Sequence, residues 1–161
     1  KGLMLHTIEV DIEKIDDEQA DLLARCGVRS VETGPQTTCE RALELNKRRL
    51  DVDKYRAGVE ACKRVGIAVD TDYIIGLPGD TPESILESFR FAVSIDPNKI
   101  QASTLHVLPG TELSEQSEEF GLNYDKDAPH ELISSATISY NELMELEVFG
   151  SALGKFHRAK R

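Results

Sequence analysis

The sequence predicts an α/β fold: a partial (β/α) barrel with a parallel sheet of about four strands, helices on its outer side and a further helix at the C-terminus. Three observations carry that reading. Short β-branched runs alternate with helical patterns, which is how βαβ units with right-handed crossovers read in sequence. Carboxylates recur on one face of consecutive runs: Glu9 shares a face with Leu5 and Thr7, Glu32 with Ser30 and Gly34, and Asp70 and Asp72 with Ile74 and Gly76. A carboxylate on an inner strand face is costly without a partner or ligand, so the repetition favours a polar barrel interior over a plain open sheet. Finally, Gly and Pro follow the runs directly, as at Gly34-Pro35, Gly76-Leu77-Pro78-Gly79 and Pro109-Gly110. About four strands fall short of a closed eight-stranded barrel, which takes about 250 residues.

Taken in order, the first run is Leu5 to Val10. A helix follows from Asp16, an N-cap with Gln19 three residues on, to Gly27 as its C′ glycine. The run Val28 to Thr33 ends in a turn at Gly34-Pro35, and helices follow over Glu40 to Leu45 and Asp53 to Val65. In the longer one Tyr55, Val59, Cys62 and Val65 repeat at helical spacing, and Gly66 stops it. Ala68 to Ile75 is the third run. Thr81 as N-cap with Pro82 at N1 opens a helix that buries Ile85, Phe89, Ala92 and Val93. The fourth run, Ile100 to Leu108, precedes a helix capped by Thr111 and reaching Phe120. After an Asp- and Pro-rich loop, Ser139 and Glu142 form a capping box for the last helix, with Ile138 and Leu143 as its staple and Leu143, Leu146, Phe149, Leu153 and Phe156 as its stripe. Residues 1–122 form the barrel part and 123–161 a loop-and-helix extension.

The chain has 161 residues, 19 of them basic and 29 acidic, for a net charge of −10. Nucleic-acid binding needs a basic footprint, so this balance speaks against it. Basic residues do cluster from Arg41 to Arg64 and from Lys155 to Arg161, the first group reading as a solvated helix face or an anion contact. No run approaches the roughly 20 apolar residues of a membrane span. Cys26, Cys39 and Cys62 are too far apart for a disulfide framework or a zinc site, so a reducing cytoplasm is expected, with Cys26 and Cys62 as buried small hydrophobes. The four histidines are too scattered for a metal site. The chain begins at Lys1 almost directly in a strand, and so reads as the later part of a longer protein.

Four segments in order carry a resemblance to a family. Asp72-Tyr73-Ile74-Ile75-Gly76-Leu77-Pro78-Gly79-Asp80-Thr81 resembles the fifth strand and loop of radical S-adenosylmethionine (SAM) enzymes, and Leu108-Pro109-Gly110-Thr111-Glu112-Leu113 resembles the segment ending their sixth strand. Glu32-Thr33-Gly34-Pro35-Gln36-Thr37 is similar to their fourth-strand segment, and Leu45-Asn46-Lys47-Arg48 to the element after it. The resemblance implies a SAM pocket at the carboxyl ends of the strands. Ile74 and Gly76 would lie at the adenine, Gln36 and Thr37 near SAM, Leu108 and Pro109 at the sixth-strand end, and Lys47 or Arg48 against the SAM carboxylate. Asp72 and Glu32 would face the lumen, for ribose or substrate or as paired structural carboxylates. Pro35 before Gln36, and Thr37 in place of serine, depart from the family pattern but keep an amide and a hydroxyl.

The family's three-cysteine loop has no counterpart here, and cluster iron needs thiolates. The resemblance therefore implies SAM as cofactor, with the 4Fe–4S cluster and cobalamin bound in the longer protein and not by this chain. Gln101, the Leu105 to Thr111 run, Gly121-Leu122-Asn123-Tyr124, Pro129 to Ile133 and the Ser139-Tyr140 helix start resemble the cobalamin-binding branch, which includes the anaerobic magnesium-protoporphyrin ester cyclase. That implies an oxidoreductase or methyltransferase acting on a small molecule, with this chain alone inactive. The other reading is a non-catalytic binding or assembly module. An ordinary phosphosugar barrel is disfavoured, since nothing after Gly121 offers a phosphate grip. With earlier strands missing, Leu5 to Val10 would be a sheet edge, and so would Ile100 to Leu108 unless the segment Asn123 to Ile133 or the last helix covers it; a homodimer through exposed strand edges is expected.

Overall fold

A computed structural model describes residues 7–159. Leu5 and His6 of the first predicted strand lie outside the described residues, as do Lys160 and Arg161 of the basic tail. The elements are β1 (Thr7–Glu9), a 3-10 turn (Ile12–Lys14), α1 (Asp17–Arg25), β2 (Ser30–Gln36), α2 (Glu40–Leu45), α3 (Val52–Arg64), β3 (Ala68–Ile75), α4 (Pro82–Ser94), β4 (Lys99–Thr104), α5 (Glu112–Glu115), β5 (Asn123–Tyr124), β6 (Leu132–Ser134) and α6 (Tyr140–Ala159). Strands β1 to β4 form one parallel sheet in sequence order, the arrangement expected of consecutive right-handed βα units.

The helix ends follow local chemistry. The Asp16 carboxylate accepts from the Gln19 amide while the Gln19 side chain accepts from the Asp16 amide, and Thr81 and Ser84 repeat that reciprocal cap on α4. At α6 the Ser139 amide and hydroxyl both donate to Glu142. Ile138 and Leu143, the staple, are buried.

The two faces of the sheet differ. Val31, Val69, Tyr73, Ile75 and Ile100 point toward the helices and are buried. One cluster gathers Ile12, Val31, Tyr55, Val59 and Ile95 beneath α3; a second gathers Tyr73, Ile75, Phe89, Leu132, Leu143 and Leu146 beneath α4 and α6. Each large side chain buried in this way contributes about 2 kcal/mol. The opposite face is polar. Register places Glu9, Glu32, Asp70 and Lys99 in one row across the four strands, with Asp72 beside Gln101 farther along.

Six expectations are corrected. Val93, expected to be buried in α4, is 42% exposed, and Cys26, expected to be buried, is exposed at the end of α1. The turn at Gly34-Pro35 is strand instead: β2 runs to Gln36 with a shift of register between Thr33 and Gln36, a bulge that tolerates a proline. The run Ile100 to Leu108 leaves the parallel sheet at Thr104; the Leu132 amide then donates to the Leu105 carbonyl (2.8 Å) and the Val107 amide to the His130 carbonyl (2.9 Å), so this stretch pairs with the segment entering β6. The helix expected to reach Phe120 ends at Glu115. The stripe of α6 is also displaced. Phe149 and Phe156 are 49% and 72% exposed, whereas Gly150 and His157 are buried.

These contacts settle one of the two expected edges. α6 lies along β4, where a Cβ on Gly150 would sit 3.0 Å from that of Ala102, and the His157 Nε2 is 2.6 Å from the Pro97 carbonyl oxygen. The β4 edge is therefore covered. β1 remains at the edge of the sheet among the described residues.

Candidate functional site

A ligand of a parallel α/β sheet sits beyond the carboxyl ends of its strands, where the connecting loops converge. Here that end holds the loops after β1, β2, β3 and β4. A cleft of about 690 Å³ opens between the first two, lined by Glu9, Asp11 and Glu13 on one side and by Gln36, Arg48 and Arg49 on the other. Its walls thus carry opposite charges. Tyr55 forms part of it; among the described residues its hydroxyl has no hydrogen-bond partner, and its burial pushes it well above the usual tyrosine range.

Gln36 and Arg48 come together on one atom. The Gln36 Nε2 donates to the Gly34 carbonyl oxygen at 3.3 Å and the Arg48 Nη2 at 3.2 Å. Gln36 sits in a left-handed conformation, φ 66°, which a non-glycine residue adopts at a cost of about 1 kcal/mol or more. Lys47 points elsewhere: its ammonium pairs with Glu112, linking the end of α2 to α5. The two bases left as alternatives by the sequence are therefore separated, Arg48 on the cleft and Lys47 on the α5 side.

Glu32 and Asp72 lie on the open polar face. Burial, followed by the neighbouring Glu32 carboxylate, pushes Asp72 up to about 7, against a weaker pull from Lys99. Asp70 is raised for the same leading reason, burial. Ile74 is half-buried on this face, and Leu108 is 51% exposed with Pro109 beside it on the loop after β4.

Two predicted ligand residues are placed differently. The Thr37 hydroxyl is not on the open face: it is 1% exposed and donates to Asp80 Oδ1 at 3.0 Å. Gly76, φ 95°, turns away from the polar row, and a Cβ there would meet the Leu132 Cδ2 at 2.4 Å. The close approach that this glycine permits is made by a side chain of β6. The residue missed altogether is Asp80, fully buried. The Pro-Gly-Asp-Thr stretch reads as an ordinary helix entry, and the Thr37 hydroxyl that meets Asp80 lies 43 positions away.

The donors present fit part of a SAM molecule: a guanidinium and an amide for its amino-acid end, carboxylates for ribose hydroxyls. They do not fit an iron–sulfur cluster. Cys26 is exposed at the end of α1, Cys39 opens α2 with its thiol toward the Gly79 carbonyl (3.7 Å), and Cys62 is buried in α3. Among the described residues no group of three or more His, Cys, Asp or Glu side chains could hold a metal ion.

Fold and site together define a parallel α/β half-barrel with a polar inner face and, at the carboxyl ends of its strands, a cleft between strand-to-helix loops. Residues 1–92 match the family described as the Radical SAM superfamily, and the chain belongs to that superfamily. It is 32% identical over 113 residues to the uncharacterized protein YtqA of Bacillus subtilis, covering 68% of this chain and 35% of that protein. It is 26% identical over 134 residues to the threonylcarbamoyladenosine tRNA methylthiotransferase MtaB of the same organism, covering 78% and 29%. The chain spans about a third of the length of the first curated relatives it matches. Among solved structures it superposes on coproporphyrinogen III oxidase (HemN) of Escherichia coli with TM-score 0.69 and 24% identity, covering 92% of this chain and 32% of that one. On the radical SAM methyltransferase TsrM of Kitasatospora setae the TM-score is 0.66 at 23% identity, over 77% and 26%. At such identities the likeness concerns the fold. No helix among the described residues is long and apolar enough to cross a membrane.

Proposed function

We propose that this chain forms the SAM-binding and substrate-facing wall of a radical SAM enzyme. One observation carries the reading: Glu32 and Asp72 stand on the open polar face beside a cleft at which Gln36 and Arg48 converge on the Gly34 carbonyl. Arg48 would hold the carboxylate of SAM, with Gln36 beside it and Lys47 outside the cleft. Glu32 and Asp72 would accept from ribose or substrate hydroxyls. Ile74 offers an apolar surface to the adenine, flanked by the exposed Leu108 and Pro109, while Gly76 shapes the loop and Thr37 its support. SAM, once given an electron by a 4Fe–4S cluster held elsewhere in the longer protein, would supply the radical chemistry; these residues would bind, orient and exclude water.

The finer assignment, to a cobalamin-linked branch that includes the magnesium-protoporphyrin ester cyclase, rests on the resemblance of Gln101, Gly121 to Tyr124 and Pro129 to Ile133. The cluster and cobalamin would be held outside this chain, and the substrate would be a small molecule.

Titration of the isotope-labelled chain with S-adenosylhomocysteine tests the main reading. Amide shifts at Gln36, Arg48 and Asp72 are expected, with a Kd on the order of 1 mM, weakened about tenfold by Arg48→Ala. A folded chain whose spectrum is unmoved by the ligand at about ten times that concentration overturns it. We also propose a homodimer through β1, the edge that α6 leaves open, to be read from light scattering over a concentration series; a monomer throughout rejects it.

A further inference from the structure

Among the described residues, Asp80 is a fully buried carboxylate with no Lys, Arg or His as hydrogen-bond or ion-pair partner. Its Oδ1 accepts from Thr37 Oγ1 (3.0 Å) and Ser84 Oγ (2.7 Å), while its Oδ2 is buried with no hydrogen-bond partner among the described residues. Burial pushes its carboxyl up to about 6, against the pull of Ser84, Thr37 and Cys39. A buried group that stays half unsatisfied is a stability cost and calls for an explanation. An apolar side chain of similar size would avoid that cost, so the explanation lies in what the carboxylate holds.

It holds two loops together. Thr37 and Thr38 belong to the loop after β2, and Asp80 and Ser84 to the loop after β3 and the start of α4. Ser88, one turn farther along α4, strengthens the same seam: its hydroxyl accepts from the Thr38 amide at 2.9 Å and lies 3.0 Å from the Thr38 hydroxyl. The Asp80 backbone carbonyl also accepts from Thr137 Oγ1 at 2.5 Å, tying in the segment before α6. Immediately before Thr37 stands Gln36, the strained left-handed residue whose amide lines the cleft. Strain of this kind persists only where the surroundings over-determine it.

We propose that Asp80 is a positioning residue that, through Thr37, fixes the left-handed turn at Gln36 and locks the loop after β2 onto the loop after β3. The part of this proposal that concerns ligand affinity rests on the SAM-site reading above. Thr37 and Asp80 touch no ligand themselves; they set where Gln36 and the chain from Gly76 to Gly79 stand before one arrives, which lowers the ordering cost of binding.

The test compares Thr37→Val, Thr37→Ser and Asp80→Ala in the full chain. Thr37→Val is expected to speed hydrogen exchange at the amides of residues 36 to 38 and to weaken S-adenosylhomocysteine about tenfold. Thr37→Ser, which keeps the hydroxyl, should stay within about twofold of the parent, an outcome that a role in bulk packing would not give. Asp80→Ala, which removes the acceptor, should move the same amides, and added to Thr37→Val it should speed exchange at residues 36 to 38 no further, since it acts there through the Thr37 bond, its contact with Ser84 lying in the first turn of α4. Should Thr37→Val not fold, Asp80→Ala carries the test alone. Folded variants with unchanged exchange at residues 36 to 38 overturn the latch. A parent chain that takes up no S-adenosylhomocysteine overturns the SAM reading, and the exchange rates then still decide whether the latch exists.

Discussion

A Cβ on Gly154 would stand 2.6 Å from the carbonyl oxygen of Ile100, so α6 lies directly along β4 with no room for a side chain at that point. Alanine in a helix is ordinarily favoured over glycine by about 1 kcal/mol. Here the sign should reverse, because a backbone carbonyl in a strand cannot give way as a flexible side chain can. Gly154→Ala is expected to cost about 1–2 kcal/mol, a fall in Tm of roughly 2–8 °C for a domain of this size. Hydrogen exchange should quicken in β4 before it does in β2. A rise in Tm would show that α6 does not seat there.

The same contact shows where sequence reading stops. Signals that act within four residues were legible: the caps at Asp16, Thr81 and Ser139, and Gly27 and Gly66, both at positive φ. So was the polar face, because alternation in a strand is local. The seat of α6 was not, since apolar spacing pointed to Phe149 and Phe156, whereas the helix approaches β4 through the small Gly150 and Gly154. Pairing of Leu105 to Val107 with the segment entering β6 is long-range and leaves no periodic trace. At the site, Gln36 and Arg48 were named from their segments, but the turn of Thr37 into the interior depends on Asp80, 43 positions away.

Gly76 gives a second test of packing. Its φ of 95° is open to glycine and strained for any L side chain, and the tip of Leu132 fills the space a Cβ would need. Gly76→Ala should destabilise by more than about 1 kcal/mol. Because Leu132 is flexible at its end, most of that cost is backbone strain. In a Leu132→Ala background, itself lowered by the loss of a core side chain, Gly76→Ala should therefore cost nearly as much as in the parent; a cost that vanishes there would assign it to the side-chain clash instead.

The cysteines make a simple chemical prediction. Cys26, Cys39 and Cys62 stand on three separate elements, and one of them is buried. Anaerobic reconstitution with iron and sulfide is expected to leave no stoichiometric 4Fe–4S absorbance on this chain, since such a cluster needs converging thiolates. A stable spectrum at one cluster per chain would contradict the placement of all three.

The buried carboxylates set the pH dependence of stability. Asp72 is pushed up to about 7 and Asp80 to about 6, both chiefly by burial, while an unfolded aspartate titrates near 3.8. Between those values the folded chain binds more protons than the unfolded one. Stability from these groups is therefore fully present below about pH 4 and is lost as pH rises, first through about 6 and then through about 7. Asp70, also raised by burial, acts in the same direction. Glu142 and Asp51 are lowered by hydrogen bonds from Ser139 and Lys54, so their contribution is lost only as pH falls below about 4, outside this window. The urea midpoint should accordingly be higher at about pH 5 than at about pH 8. Asp72→Asn should flatten the upper part of that decline and Asp80→Asn the lower. A parent midpoint that climbs between the two pH values would mean that neither carboxylate is as buried as the fold requires.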